Sequence, residues 1–337
     1  MTGLRPAFDD RRRSTPGWRN VRLGLRYWRL WPKLAVNYAR ARRGERVLRG
    51  VEFAITFRCN LHCRHCLRTK LIDEAATELS RAEILDAVRQ IARLGGVFVN
   101  FTGGEASLRP DILDIVGDAA TVPRLIVTLA SNGYELDAAK IAALAGRGLA
   151  MLVLSLDGAT AATHDAFRRQ PGSFARTAAA VREAKARGLD VWLTCVATNE
   201  GLLGGEVRRT AEVARDWRCT FTLNLPYDVG AWEGGDVALM PDAYAEYRNL
   251  LRLPWVRWEG SSNWLGEGCP AGVEKIYITP YGDVMPCAVI HRSYGNLRRE
   301  SLATIYARLG EHPAFRDCRK ACLVAEDRTP LESRDIG

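Results

Sequence analysis

From Val51 onward the chain alternates short runs rich in β-branched and aromatic residues with longer stretches of helical period. Glu52–Phe57, Val97–Phe101, Leu125–Ala130, Met151–Leu156, Val191–Ala197 and Thr220–Leu225 read as strands. Between them, "SRAEILDAVRQIARLGG" opens with a capping box, Ser80 and Glu83, and stops at Gly95-Gly96. A second helical stretch, "SFARTAAAVREAKARG", stops at Gly188. Six β–α units in series predict an α/β fold, with parallel strands and right-handed crossovers in an open sheet or a barrel.

The polar interruptions fall at one end of these strands. "TFRCNLHCRHC" follows the first, "TGGE" the second, "SNG" the third, and "SLDG" closes the fourth. Sites in parallel α/β folds gather at the C-terminal strand ends, so the four motifs are expected to line one cavity. After the sixth strand the rhythm ends. "VGAWEGGDVALMP" reads as a linker and "DAYAEYRNLLRL" as a helix; "KIYITPYGDVMPC" reads as a β-hairpin turning at Pro280–Asp283. This divides the chain into residues 1–49, 50–235 and 236–337.

Composition changes the picture in two places. Nine cysteines are present, and seven are grouped: Cys59/Cys63/Cys66, Cys269/Cys287 and Cys318/Cys322. There is no secretory h-region and no apolar run of about 18 residues, so the expected location is the cytoplasm. Clustered cysteines there read as metal ligands rather than disulfides. Cys318 and Cys322, four apart, are expected on one helical face. The net charge of +9 belongs to one segment, because residues 1–49 carry 14 Lys/Arg against 3 Asp/Glu. The rest of the chain is close to neutral.

A closed zinc site or an ordinary iron–sulfur cluster takes four protein ligands, whereas the first group supplies three. Zinc completed by His62 or His65 is one reading of Cys59, Cys63 and Cys66. The other comes from likeness: "CNLHCRHC", Gly103-Gly104-Glu105, Ser131-Asn132-Gly133 and Ser155–Gly158 resemble, in order, the motifs of radical S-adenosylmethionine (radical SAM) enzymes. Cys269-x12-Gly282-x4-Cys287 followed by Cys318-x3-Cys322 is similar to the twitch/SPASM-like auxiliary-cluster domain of some members. Four-thiolate zinc is the alternative for that second set.

The resemblance implies a partial (β/α)6 TIM-like barrel with a small C-terminal auxiliary-cluster domain. It further implies that Cys59, Cys63 and Cys66 hold a [4Fe–4S] cluster whose open iron takes S-adenosylmethionine. Reduction of that pair releases a 5′-deoxyadenosyl radical, which abstracts hydrogen from an unactivated C–H bond. Cys269, Cys287, Cys318 and Cys322 would hold a second, auxiliary [4Fe–4S] cluster. By position, Gly103, Gly104 and Glu105 would meet the methionine ammonium, and Ser155 and Asp157 the ribose and carboxylate. Ser131 and Asn132 would line the same pocket, with His65 beside the adenine. Ala106 stands where the family often has proline. An electron donor such as flavodoxin or ferredoxin is the implied partner.

The first expectation for the substrate is a polar small molecule, sugar- or aminocyclitol-like, that is oxidised or epimerised. Modification of a ribosomally made peptide comes second, because residues 1–49 are fewer than the recognition domain many such enzymes carry. Cys195, in the fifth strand, is either a small core hydrophobe or, if it faces inward, a hydrogen-atom donor for epimerisation. Cys219 reads as core, and His164, His291 and His312 receive no role. In the basic segment, Leu23, Tyr27, Leu30, Leu34 and Tyr38 form an apolar stripe that Pro32 is expected to kink. It reads as a helix docked on the barrel, with peripheral membrane contact through residues 18–44 as the alternative. A nucleic-acid partner is disfavoured, since no binding module is recognisable.

Overall fold

The computed structural model describes residues 27–258, 263–265, 268–317 and 321–326. In chain order they form α1 (Trp31–Arg42), β1 (Gly50–Thr56), α2 (Arg81–Arg93), β2 (Phe98–Gly103), α3 (Ile112–Ala120), β3 (Ile126–Ser131), α4 (Ala138–Gly146) and β4 (Met151–Ser155). Next come α5 (Ala161–Arg168), α6 (Ser173–Ala186), β5 (Asp190–Val196), α7 (Asn199–Leu203), α8 (Glu206–Asp216) and β6 (Thr220–Asn224). The chain continues with α9 (Pro241–Leu250), β7 (Val256–Trp258), β8 (Lys275–Ile278), β9 (Val284–Met285) and α10 (Leu302–Glu311). All six expected strands are present, each within two residues of its expected bounds. The capping box of α2 forms as read, Ser80 and Glu83 satisfying each other's backbone N–H.

The strands make one sheet in the order β7-β6-β5-β4-β3-β2-β1-β8-β9. Every neighbouring pair is parallel except the β8–β9 hairpin. Its two ends do not pair with each other, so the barrel is partial. The expected hairpin does form, but it is not detached. β8 runs parallel to β1, with Gly50 opposite Lys275 and Phe53 opposite Ile278, and so covers an edge that β1 would otherwise expose. Arg46 fastens this part by donating to the carbonyls of Gly272 and Tyr306. Arg298 does the same from the other side, bonding Glu83 and the Thr77 carbonyl.

Alternation sorts the strands into two faces. Val51, Phe53, Ile55, Phe101, Leu154 and Leu193 point to the helices and form the main core. The opposite face is polar, carrying Glu52, Asn100, Thr128, Ser155, Thr194 and Asn224. Thr128 donates to Asn100 Oδ1 at 2.8 Å, Asn224 to Thr194 Oγ1 at 2.9 Å, and Lys275 pairs with Glu52 at 2.5 Å. One small apolar cluster sits on this inner side: Ala54, Phe57, Tyr277 and Met285.

α1 lies beneath the strand starts, away from the motif-bearing ends. The Tyr27 hydroxyl donates to Asp190 at the first position of β5, and Asn37 donates to the Gly95 carbonyl. Pro32 does not kink this helix. It stands in the first turn, where its missing N–H costs nothing. Leu30 is buried as expected, but Tyr38 faces solvent and Asn37 and Ala41 are buried instead. From Leu30 through Leu34 to Tyr38 the stripe steps by four residues, overruns the 3.6-residue turn and drifts off the docked face. Leu23 and residues 18–26 lie outside the described residues. Trp31 and Val36 are exposed on α1, and Trp28 in the turn that precedes it. Among the described residues, no helix is long and apolar enough to cross a membrane.

Candidate active site

Cys59, Cys63 and Cys66 lie in the loop after β1, each half-buried. The base of that loop is clamped. Thr56 Oγ1 donates to Glu78 and accepts from the Arg58 N–H, while Arg68 donates to the Phe57 carbonyl at 2.7 Å. Buried Arg109 ties the Ile55 and Leu79 carbonyls together at 2.8 and 3.0 Å. Burial pushes the Cys59 and Cys63 thiols above their ordinary pKa, against the lowering effect of the Leu61 N–H and of Arg168 respectively. Left free, both stay protonated; a metal's charge is what makes such thiols into thiolates.

The loop is gripped by the second strand's motif. Gly104 N–H donates to the Thr56 carbonyl and Glu105 N–H to that of Arg58, both at 2.9 Å. The glycines are therefore required by the cysteine loop itself: a Cβ on Gly103 would lie 2.0 Å from Thr56 O, and one on Gly104 2.4 Å from Arg58 O. Glu105 is buried, and its two oxygens accept from the Ser107 and Asn132 N–H groups. This links strand end two to strand end three. Asn132 in turn donates to Asn60 Oδ1 at 2.9 Å, beside Cys59, and Ser131 Oγ accepts from Gly133 N–H. The expected convergence of the motifs is thus present in the hydrogen bonds.

The fourth strand end behaves differently. Ser155 lies half-buried on the inner face. Asp157 is buried with both oxygens engaged: Oδ2 by Arg168 and Oδ1 by the Val196 N–H at 3.0 Å. It is a structural hub in this structure, not an open ligand. Its own N–H donates to His164 Nδ1 at 3.1 Å, and His164 Nε2 meets Ser173 Oγ. Burial is the main cause pushing His164 down to about 4. The unfolded chain therefore takes up a proton between pH 6.5 and 4 that the folded chain refuses, so stability falls as pH falls through that window. The expected loss from this residue is about 1.4 kcal/mol between pH 7.5 and 5.5. Urea denaturation at both values should show a smaller drop for His164→Gln; equal drops would remove His164 as the cause.

Cys195 requires a correction. It shares the helix-facing side of β5 with Val191 and Leu193 and is 3% exposed within the main core. Thr194 and Val196 hold the inner face. A hydrogen-atom donor must reach the cavity, and this thiol does not. Cys219 is buried in the core as read.

His65 stacks against Phe167, ring centroids 4.9 Å apart, and lies 5.9 Å from Trp232. Burial and the Arg168 charge push it down to about 4, so the ring is neutral at physiological pH. Its Nδ1 is closed to solvent and, among the described residues, has no hydrogen-bond partner. A buried polar atom in that condition points to a missing ligand. Phe167, Arg168, Asn60, His164 and Trp232 are site residues that sequence reasoning did not single out.

At the other edge of the sheet, Cys269 and Cys322 are buried and in contact, and their contact, followed by burial, pushes the Cys322 thiol up. Cys287 is half-buried at the end of the hairpin. Cys322 is not in the expected helix but just ahead of a turn at 323–326, and Cys318 lies outside the described residues. Tyr277 of β8 is within electrostatic reach of both Cys287 and Cys66.

Three thiols held at a strand end, beside a glycine cradle and an unpartnered imidazole nitrogen, fit an enzyme whose cluster keeps one position for a cosubstrate. Comparison with known proteins agrees. The radical SAM superfamily model matches residues 53–217, and the SPASM iron–sulfur cluster-binding domain matches residues 269–327. The AdoMet-dependent heme synthase of Methanosarcina barkeri is 32% identical over 287 residues, 76% of this chain and 81% of that protein. The PqqA peptide cyclase of Ruegeria pomeroyi is 33% identical over 282 residues, 78% of this chain and 74% of its own. In fold, the chain matches Streptococcus suis SuiB bound to precursor peptide SuiA, with a TM-score of 0.64 at 13% identity, covering 91% of this chain and 72% of that one. The chain belongs to the radical SAM superfamily and carries a SPASM domain. Its cofactors are a [4Fe–4S] cluster with S-adenosylmethionine in the barrel and auxiliary iron–sulfur binding in the C-terminal part.

Proposed function

We propose that this enzyme modifies a ribosomally made peptide by oxidation at an unactivated carbon. The likeness to a PqqA peptide cyclase over 78% of the chain carries this reading. We place it ahead of the sugar-like small molecule expected first. Epimerisation also recedes, because the core position of Cys195 removes the donor that was to complete it.

Cys59, Cys63 and Cys66 would hold the barrel cluster, and Cys269, Cys287, Cys318 and Cys322 the auxiliary one. When bound, the cluster and S-adenosylmethionine supply one-electron reductive cleavage and hydrogen-atom abstraction. The chain's own part is positioning. Gly103 and Gly104 let the cysteine loop close on β2, Asn132 holds Asn60, and Phe167 and Trp232 pack around the His65 ring, whose Nδ1 is open to a hydrogen-bond partner. The polar inner face, from Glu52 to Asn224, offers hydrogen bonds to a polar backbone such as a peptide's. The neutral His65 adds no charge beside S-adenosylmethionine.

The heme synthase likeness supports a second reading, oxidation of a heme precursor. Co-expression with each short open reading frame flanking the gene separates the two. We expect one such peptide to lose the mass of two hydrogens per modification, dependent on S-adenosylmethionine. Unaltered peptides, together with turnover of a heme precursor by the purified enzyme, would reverse the order.

A further inference from the structure

Cys63 has a neighbour that a thiol ligand does not require. Arg168 ends α5, and its Nη1 donates to Cys63 Sγ at 3.7 Å. Its Nε and Nη2 grip one oxygen of Asp157, with Nε at 2.6 Å. The carboxylate is itself fixed by the Val196 N–H, and its backbone by His164. The two side chains are 9% and 1% exposed. Parts of β5, α5 and α6 thus combine to aim one guanidinium at one sulfur. A buried ion pair returns little net stability, because desolvation offsets the attraction.

We propose that Arg168, held by Asp157, donates a charge-assisted hydrogen bond to the Cys63 thiolate and raises the reduction potential of the barrel cluster. Reduction adds one electron and no proton, so the negative charge on the cluster sulfurs grows. A positive donor on one of them stabilises the reduced form more than the oxidised form. In this poorly solvated place the interaction is little screened. Arg168 is a positioning residue here: it eases loading of the electron and correspondingly weakens the cluster as a reductant. Asp157 opposes it in sign while holding it in place.

The opposed signs make the test. Full-length protein, reconstituted anaerobically and free of S-adenosylmethionine, is titrated with dithionite and followed by electron paramagnetic resonance. The barrel cluster's signal is the one absent from the Cys59→Ala/Cys63→Ala/Cys66→Ala protein. Its midpoint should fall in Arg168→Gln, fall less in Arg168→Lys, and rise in Asp157→Asn, while the auxiliary signal stays in place. An unmoved midpoint in Arg168→Gln, shifts of one sign in both the Gln and Asn variants, or equal shifts of both clusters would overturn the proposal. If Arg168→Gln assembles no barrel cluster, the other two variants decide: both matching wild type overturns it, and opposite shifts sustain it.

Discussion

Protein with Cys59, Cys63 and Cys66 all changed to alanine is expected to form no 5′-deoxyadenosine from S-adenosylmethionine, yet to keep iron at its C-terminal cysteines. The barrel cluster has no other thiol to fall back on. The remaining cysteines near the barrel, Cys195 and Cys219, are sealed in the helix-facing core. The loss should amount to about four irons per chain, read by iron and sulfide assay beside liquid chromatography of the cleavage products. Cys195→Ala is the matched control. It should cleave S-adenosylmethionine like wild type and lose on the order of 1 kcal/mol from the small cavity it leaves. Cleavage that persists in the triple variant, or that fails in Cys195→Ala, would contradict the assignment of the thiols.

How much of this was legible beforehand depends on distance along the chain. The cysteine triad is local, and its spacing announces a ligand set. The six strands and their motif-bearing ends follow from period and punctuation, which are also local. The docking of β8 on β1 pairs residues more than 200 positions apart and leaves no mark in either segment. β7, three residues long, is too short to show a period. Asp157 looked like a ligand because the "SLDG" pattern cannot tell an open carboxylate from one already held; Arg168, eleven residues on, decides that. His164 gave no signal, since its partners are a backbone N–H and a serine. Cys195 had two readings, core hydrophobe or inward hydrogen donor, and its face of β5 decides between them. Alternation put it on the face of Val191 and Leu193, uniformly apolar, opposite Thr194. That contrast identifies the core side.

The glycine pair supplies the second large effect. Gly103 has φ of +136°, which side chains rarely adopt, and its added Cβ would meet backbone atoms of Thr56 at 2.0 and 3.1 Å. Backbone cannot rotate aside as a flexible side chain could. Gly103→Ala must therefore part β2 from the cysteine loop and break the Gly104 and Glu105 hydrogen bonds to Thr56 and Arg58. Strain and lost hydrogen bonds together cost on the order of 3 kcal/mol or more. The same movement carries Cys59 out of place. Gly188→Ala isolates the steric part, because Gly188 also has positive φ, +73°, but its Cβ would meet nothing within 4 Å. That control should lose about 1 kcal/mol and bind S-adenosylmethionine as wild type does. Gly103→Ala should lose barrel iron and S-adenosylmethionine binding, measured by iron assay and equilibrium dialysis, with stability read by chemical denaturation. If the two variants behave alike, close approach of the loop is not what the glycine is there for.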